Sequence, residues 1–207
     1  MDQLINEIEK LKNSNIRKTI DERIKEFKNI NRKSNDELFK EMCFCLLTAN
    51  YNAEKTIKIQ NEIGECFLTD KTDQLETKLK NCGHRFPKAR AQYITNAKNC
   101  KGKLQDIVKF HDKNALREWI VTNVKGLGYK ETSHFLRNVG FDDYAIIDFH
   151  IIDILVNNNI ITRPKTLTKN KYLEIEKKLK QIAKKTNLTL AELDLYLWYM
   201  ETGKILK

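Results

Sequence analysis

Proline and glycine are scarce, at 2 and 7 of 207 residues. A sandwich or barrel of many short strands needs more turn chemistry than that, so this scarcity argues against an all-β fold. Cysteine is present five times, as Cys43, Cys45, Cys66, Cys82 and Cys100. The number is odd, and neither CxxC nor a zinc-like Cys/His spacing occurs, which argues against both a disulfide framework and a structural zinc site. The five are expected to act as small buried hydrophobes in a reducing compartment. No uninterrupted apolar run approaches the roughly 20 residues that cross a bilayer. The opening MDQLINEIEKLKN is charged throughout and lacks the apolar core of a signal peptide. These absences predict a soluble, intracellular protein with no membrane partner.

What is abundant is lysine on a leucine- and isoleucine-rich background. The 38 Lys and Arg against 28 Asp and Glu leave a net charge of +10, which suits contact with a polyanion whose counterions are released on binding. A hydrophobic content of 41% is enough for a real core. Apolar residues recur at steps of mostly three or four through Leu4, Ile5, Ile8, Leu11, Ile16, Ile20, Ile24 and Phe27, the mark of amphipathic helices. Ser34 and Asn35 precede DELFKEMCFCLLTAN, a capped helix whose centre, Met42 to Leu47, is apolar on most sides. Further helices are expected over Ala53 to Phe67, Ala89 to Asn99, Leu104 to Phe110, Leu116 to Val124 and Ser133 to Val139. Beyond the short apolar run YAIID, helical spacing resumes at Ile151, then over a basic stretch, 169–185, and a last one, 188–200. The fold class is therefore all-α.

The informative segment is NVKGLGYKETSHFL, Asn123 to Leu136. Gly126 and Gly128 flank one apolar residue between two short helices, so the chain can turn tightly and present bare N–H groups at a helix N-terminus. That is a phosphate cradle, with Lys125 beside it and Leu127 expected to point inwards. On its own the turn is equally compatible with an ordinary interhelical connection. After KGLGYK, which ends at Lys130, comes AIIDFH, which places Asp148 18 positions further on.

With that spacing, the chain resembles the helix-hairpin-helix DNA glycosylase superfamily, whose hairpin is followed by a lysine and later by an aspartate at a helix start. The resemblance implies a bifunctional glycosylase and lyase with Lys130 as attacking amine and Asp148 as catalytic carboxylate. The residue types suit that chemistry. Breaking an N-glycosidic bond and then the DNA backbone calls for an amine that attacks C1′ and persists as a Schiff base. The amine must be neutral, and a place at the positive end of the following helix favours that form. An aspartate capping the next helix is held in a fixed direction and can stabilise a cationic sugar.

Iron–sulfur branches of the superfamily carry four closely spaced cysteines near the C-terminus, whereas the last cysteine here is Cys100. The ending LAELDLYLWYMETGKILK instead resembles the type-2 8-oxoguanine DNA glycosylase/AP lyases of archaea and bacteria. That resemblance implies a flipped-out base read by Trp198 as stacking platform, Asp194 as polar contact and Lys207 with its carboxylate at the base edge. His134, one turn after Lys130, is expected to line the same pocket. Asn50, in TANYN, would fill the gap left by the base. Arg85 and Phe86, in CGHRFP, would meet the orphaned partner base, and His150 would hold a phosphate.

The expectation is thus a two-lobed helix-hairpin-helix glycosylase fold with its active site in the interlobe cleft. Residues 33–144 would form a helical barrel containing the hairpin, and 1–32 plus 145–207 the second domain. The partner would be damaged double-stranded DNA and the protein a monomer, cytoplasmic and nucleoid-associated. No organic cofactor or catalytic metal is needed, although a monovalent cation on hairpin carbonyls would be compatible. Two other readings stay open: a glycosylase/lyase for oxidised pyrimidines, and a noncatalytic helix-hairpin-helix DNA-binding module.

Overall fold

The computed structural model describes residues 1–110 and 112–207. Among them regular structure is entirely helical: α1 (Asp2–Lys12), α2 (Ile16–Ile30), α3 (Asn35–Thr48), α4 (Ala53–Ile63), α5 (Cys66–Thr69), α6 (Thr72–Asn81), α7 (Pro87–Lys101), α8 (Leu104–Ile107), α9 (Lys113–Asn123), α10 (Tyr129–Asn138), α11 (Phe149–Asn157), α12 (Lys169–Lys185) and α13 (Leu190–Thr202). No described helix is long and apolar enough to cross a membrane. The chain divides into two compact units, one of Asn29–Val139 and one of Met1–Lys28 with Gly140–Lys207.

In the unit of Asn29–Val139, α3 is the hub. Ser34 caps it by accepting a hydrogen bond from the Glu37 N–H, with Asp36 and Glu37 in its positive first turn. From Glu41 to Thr48 every residue is buried, because α4, α5, α7, α8 and α10 all pack on this helix. A helix apolar all round must be surrounded. Glu41 is buried among them and accepts from the Gln60 side chain on α4 at 3.3 Å and from Asn138 on α10 at 3.2 Å. Arg137 donates in turn to the Asn138 side-chain oxygen at 2.9 Å, so this buried carboxylate and amide are paired.

The other unit is built around α13, which packs on α1, α11 and α12. Thr189 and Glu192 form a reciprocal capping box at its start, and Gly203 ends it at φ 68. Ile20, Ile24 and Phe27 of α2 pack against Ala191, Leu195 and Tyr196, with Ile205 joining from the C-terminal tail. Gly140 has φ 93, and a Cβ there would come within 3.0 Å of the Lys28 backbone, so this close approach requires glycine.

Several elements differ from expectation. The helix expected over Ala53 to Phe67 is two, α4 and α5, separated at Gly64 and Glu65. Helix α6 was not signalled: only Leu75 and Leu79 are buried along it, too few for a clear apolar stripe. Helix α8 stops at Ile107 rather than Phe110. Helix α10 begins at Tyr129, four residues before Ser133, since Gly128 caps it. Of the cysteines, Cys43, Cys45 and Cys100 are buried; Cys66 and Cys82 are only partly so, and Lys78 donates to the Cys66 sulfur at 3.0 Å.

Candidate active site

The hairpin joins α9 to α10 through Val124–Gly128, closed by a hydrogen bond from the Leu127 N–H to the Val124 carbonyl at 3.1 Å. Leu127 is 3% exposed and anchors the turn, while Lys125 is exposed. Gly126 has φ 101, and a Cβ there would lie 2.6 Å from the Tyr93 ring and 3.0 Å from Leu46. Only glycine fits. Gly128 is the N-cap of α10 and offers no side chain to the first N–H groups, which leaves them to an outside acceptor.

Lys130 is the second residue of α10, so its ammonium stands at the positive helix end, 3.6 Å from the Glu131 carboxylate. The turn that carries it is fastened from beneath by Arg117 of α9, which is 2% exposed. Its guanidinium lies 5.0 Å from the centroid of the Tyr129 ring and donates to the Ser133 hydroxyl at 3.4 Å. Tyr129 also hydrogen-bonds Glu118. His134, one turn on, is buried with its ring edge-on to Phe44 at 5.6 Å, packed between α10 and α3.

Asp148, in the other unit, is the N-cap of α11 and accepts from the Ile151 N–H at 3.0 Å. The residues before it, Tyr144 to Ile147, are buried and lie outside any helix or strand among the described residues. Helix α12 supplies the missing partners. Tyr172 donates to the Ala145 carbonyl at 2.6 Å and accepts from the Ile147 N–H at 3.3 Å. Glu176 accepts from the Ala145 N–H at 3.2 Å. Neither α12 residue was singled out from the sequence, where 169–185 reads only as a basic amphipathic helix.

His150 follows Asp148 on α11 and is held on three sides in the same unit. Phe149, 63% exposed, stacks on it at 3.8 Å, the Trp198 ring meets it edge-on at 5.0 Å, and Glu201 lies 3.5 Å from Nδ1. The Trp198 indole nitrogen is buried with no hydrogen-bond partner among the described residues. Asp194, one turn earlier on α13, lines a small cavity with Ile146, Ile151, Leu179 and Leu197. Lys207 ends the tail that Ile205 anchors.

Asn50 and the Arg85–Phe86 pair occupy two loops of the hairpin-containing unit. Asn50 is exposed at φ 55, a left-handed conformation that asparagine tolerates better than most residues. Phe86 is 36% exposed and lies beneath the Arg85 guanidinium at 4.9 Å. In the same CGHRFP loop His84 is 4% exposed and bonded to the Leu47 carbonyl at 3.0 Å. Arg90, also buried, donates to the Ala49 carbonyl.

Residues 20–188 match the family model for 8-oxoguanine DNA glycosylase. The chain is 57% identical to the 8-oxoguanine DNA glycosylase/AP lyase of Methanocaldococcus jannaschii over 99% of both chains. It is 48% identical to the protein of that name from Korarchaeum cryptofilum over 100% of this chain and 99% of the other. Among solved structures, the Methanocaldococcus jannaschii 8-oxoguanine glycosylase/lyase in complex with a 15mer DNA containing 8-oxoguanine aligns with a TM-score of 0.97 at 55% identity, covering 99% and 100% of the chains. The 8-oxoguanine DNA glycosylase of Thermotoga maritima aligns at 0.94 with 38% identity, covering 100% and 99%. The all-helical fold with its glycine hairpin, and identity sustained along nearly the whole length, agree: this chain belongs to the helix-hairpin-helix 8-oxoguanine DNA glycosylase family.

Proposed function

We propose that this protein excises 8-oxoguanine from duplex DNA and then cleaves the strand at the abasic site by β-elimination. The observation that carries the reading is Lys130 in the first turn of the helix that follows the glycine hairpin, in a chain 57% identical to an 8-oxoguanine DNA glycosylase/AP lyase.

In the reaction the Lys130 nitrogen forms a bond to C1′ as the N-glycosidic bond breaks, and the leaving base takes the bonding pair and a proton. The sugar ring opens to an iminium on Lys130. Loss of a C2′ proton then expels the 3′-phosphate, and water releases the lysine. Asp148, its carboxylate oriented by the Ile151 N–H, stabilises the positive charge that develops on the sugar. Lys125 and the N–H groups behind Gly126 and Gly128 take a DNA phosphate, and His150 takes another. Trp198 stacks on the extruded base while Asp194 and Lys207 read its edge. Asn50, Arg85 and Phe86 fill the gap and meet the orphaned base.

Borohydride trapping on duplexes with different lesions tests this. A covalent adduct at 8-oxoguanine that disappears in Lys130→Gln, with DNA binding retained, is the expected result. An adduct only at thymine glycol would move the activity to oxidised pyrimidines, and full strand cleavage by Lys130→Gln would overturn the lysine's role.

A further inference from the structure

One imidazole, in the loop that presents Phe86, ties that loop to the end of α3 from which the Asn50 loop leaves. His84 Nδ1 accepts from the Phe86 N–H at 3.0 Å, and its Nε2 lies 3.0 Å from the Leu47 carbonyl. A backbone N–H can only donate and a carbonyl can only accept, so this pair of bonds requires the neutral ring with its proton on Nε2. Both partners of the ring are backbone groups, one in the last turn of α3, three residues before Asn50, and one in the Phe86 loop itself. Tyr51 reinforces the join: its ring lies 4.2 Å from the imidazole and its hydroxyl donates to the Gly83 carbonyl at 2.9 Å. Arg90 spans the same pair of loops, bonding the Ala49 carbonyl while its guanidinium sits 5.7 Å from the Phe86 ring centroid.

We propose that His84 is a positioning residue for base extrusion: in its neutral form it clamps the Asn50 loop and the Phe86 loop into one preformed platform, and protonation releases the clamp. This rests on the proposed reading that Asn50 and Phe86 enter the DNA. Preorganisation matters because two tips that must enter one gap lose less freedom on binding when they are already joined. A protonated ring would turn an N–H towards the Phe86 N–H, two donors face to face, and Phe86 would lose its anchor. The charged and titratable groups around the ring are the Arg90 guanidinium and the Tyr51 phenol. Burial, opposed by the Leu47 bond and aided by the Arg90 charge, holds the imidazole below its ordinary value of 6.5. The clamp is therefore closed at neutral pH and opens on acidification.

The test compares single-turnover cleavage of an 8-oxoguanine duplex with cleavage of a single strand carrying a preformed abasic site, which has no base to extrude and no orphan partner. His84→Ala is expected to slow the duplex reaction about tenfold or more and the single-strand reaction less than about twofold. His84→Asn, whose side-chain carbonyl can still take the Phe86 N–H in an Asx turn, is expected to recover part of the loss. In the natural protein the duplex-to-single-strand rate ratio should fall as the pH is taken below the ordinary imidazole value of 6.5, and in His84→Asn it should stay flat. Equal losses on both substrates, or no loss on either, would overturn the clamp. Phe86→Ala separates the two levels. If it leaves duplex excision unchanged, the loop reading itself fails; if it slows excision and His84→Ala does not, only the clamp fails.

Discussion

The Tyr172 hydroxyl donates to the Ala145 carbonyl at 2.6 Å and accepts from the Ile147 N–H, so one phenol satisfies two buried backbone groups next to Asp148. Tyr172→Phe would keep the ring and orphan both groups. The expected cost is about 1–3 kcal/mol, read as a lower urea midpoint. Because the same segment orients Asp148, excision should slow more than DNA affinity weakens. A stability loss with unchanged excision in single-turnover assays would confine Tyr172 to a structural role.

The two hairpin glycines should respond differently to alanine. At Gly126 the φ of 101 and the Tyr93 ring at 2.6 Å leave no room, and Gly126→Ala is expected to cost about 1–3 kcal/mol and to weaken DNA binding. At Gly128 φ is −85, and the nearest obstacle is the end of the Glu131 side chain at 3.2 Å, which can swing aside. Gly128→Ala should stay within about 1 kcal/mol of the natural protein in thermal unfolding. Equal effects at the two positions would contradict this account of the turn.

DNA affinity should fall steeply with salt, given the net charge of +10. Lys125, exposed on the hairpin, is proposed to neutralise one phosphate. Lys125→Ala should weaken binding to damaged and undamaged duplexes alike and lower the slope of log affinity against log salt by about 1. A loss restricted to damaged DNA would assign Lys125 to lesion recognition instead.

Acid should destabilise the unit containing α6 through Asp70. Lys78 on α6 lies 2.7 Å from its carboxylate and holds its pKa below the ordinary 3.8. A carboxyl with a lower pKa folded than unfolded contributes stability above the unfolded value and loses it as pH falls through the folded one. In Asp70→Asn that contribution is gone at every pH, so stability measured by urea unfolding should decline less steeply below about pH 4. Parallel curves for the two proteins would rule the pair out as a source of acid sensitivity.

Local patterns carried much of this protein's description. Scarce proline and glycine with apolar steps of three and four specify helices, and the capped, apolar segment from Ser34 to Leu47 reads directly as the buried helix α3. The hairpin is legible because only glycine can occupy a position like that of Gly126, and Lys130 and Asp148 stand out by residue type and spacing. Lys130 therefore keeps, in the folded chain, the helix-start position expected of it, although α10 begins earlier than its periodicity suggested. What holds these residues was decided only by tertiary structure. Tyr172 reaches Ala145 across 27 positions, Glu176 reaches the same residue across 31, and His84 reaches Leu47 across 37. Such bonds form because folding buries backbone groups that no helix or strand satisfies, and distant side chains must then meet them. No local pattern marks which tyrosine, glutamate or histidine will be the one beneath them.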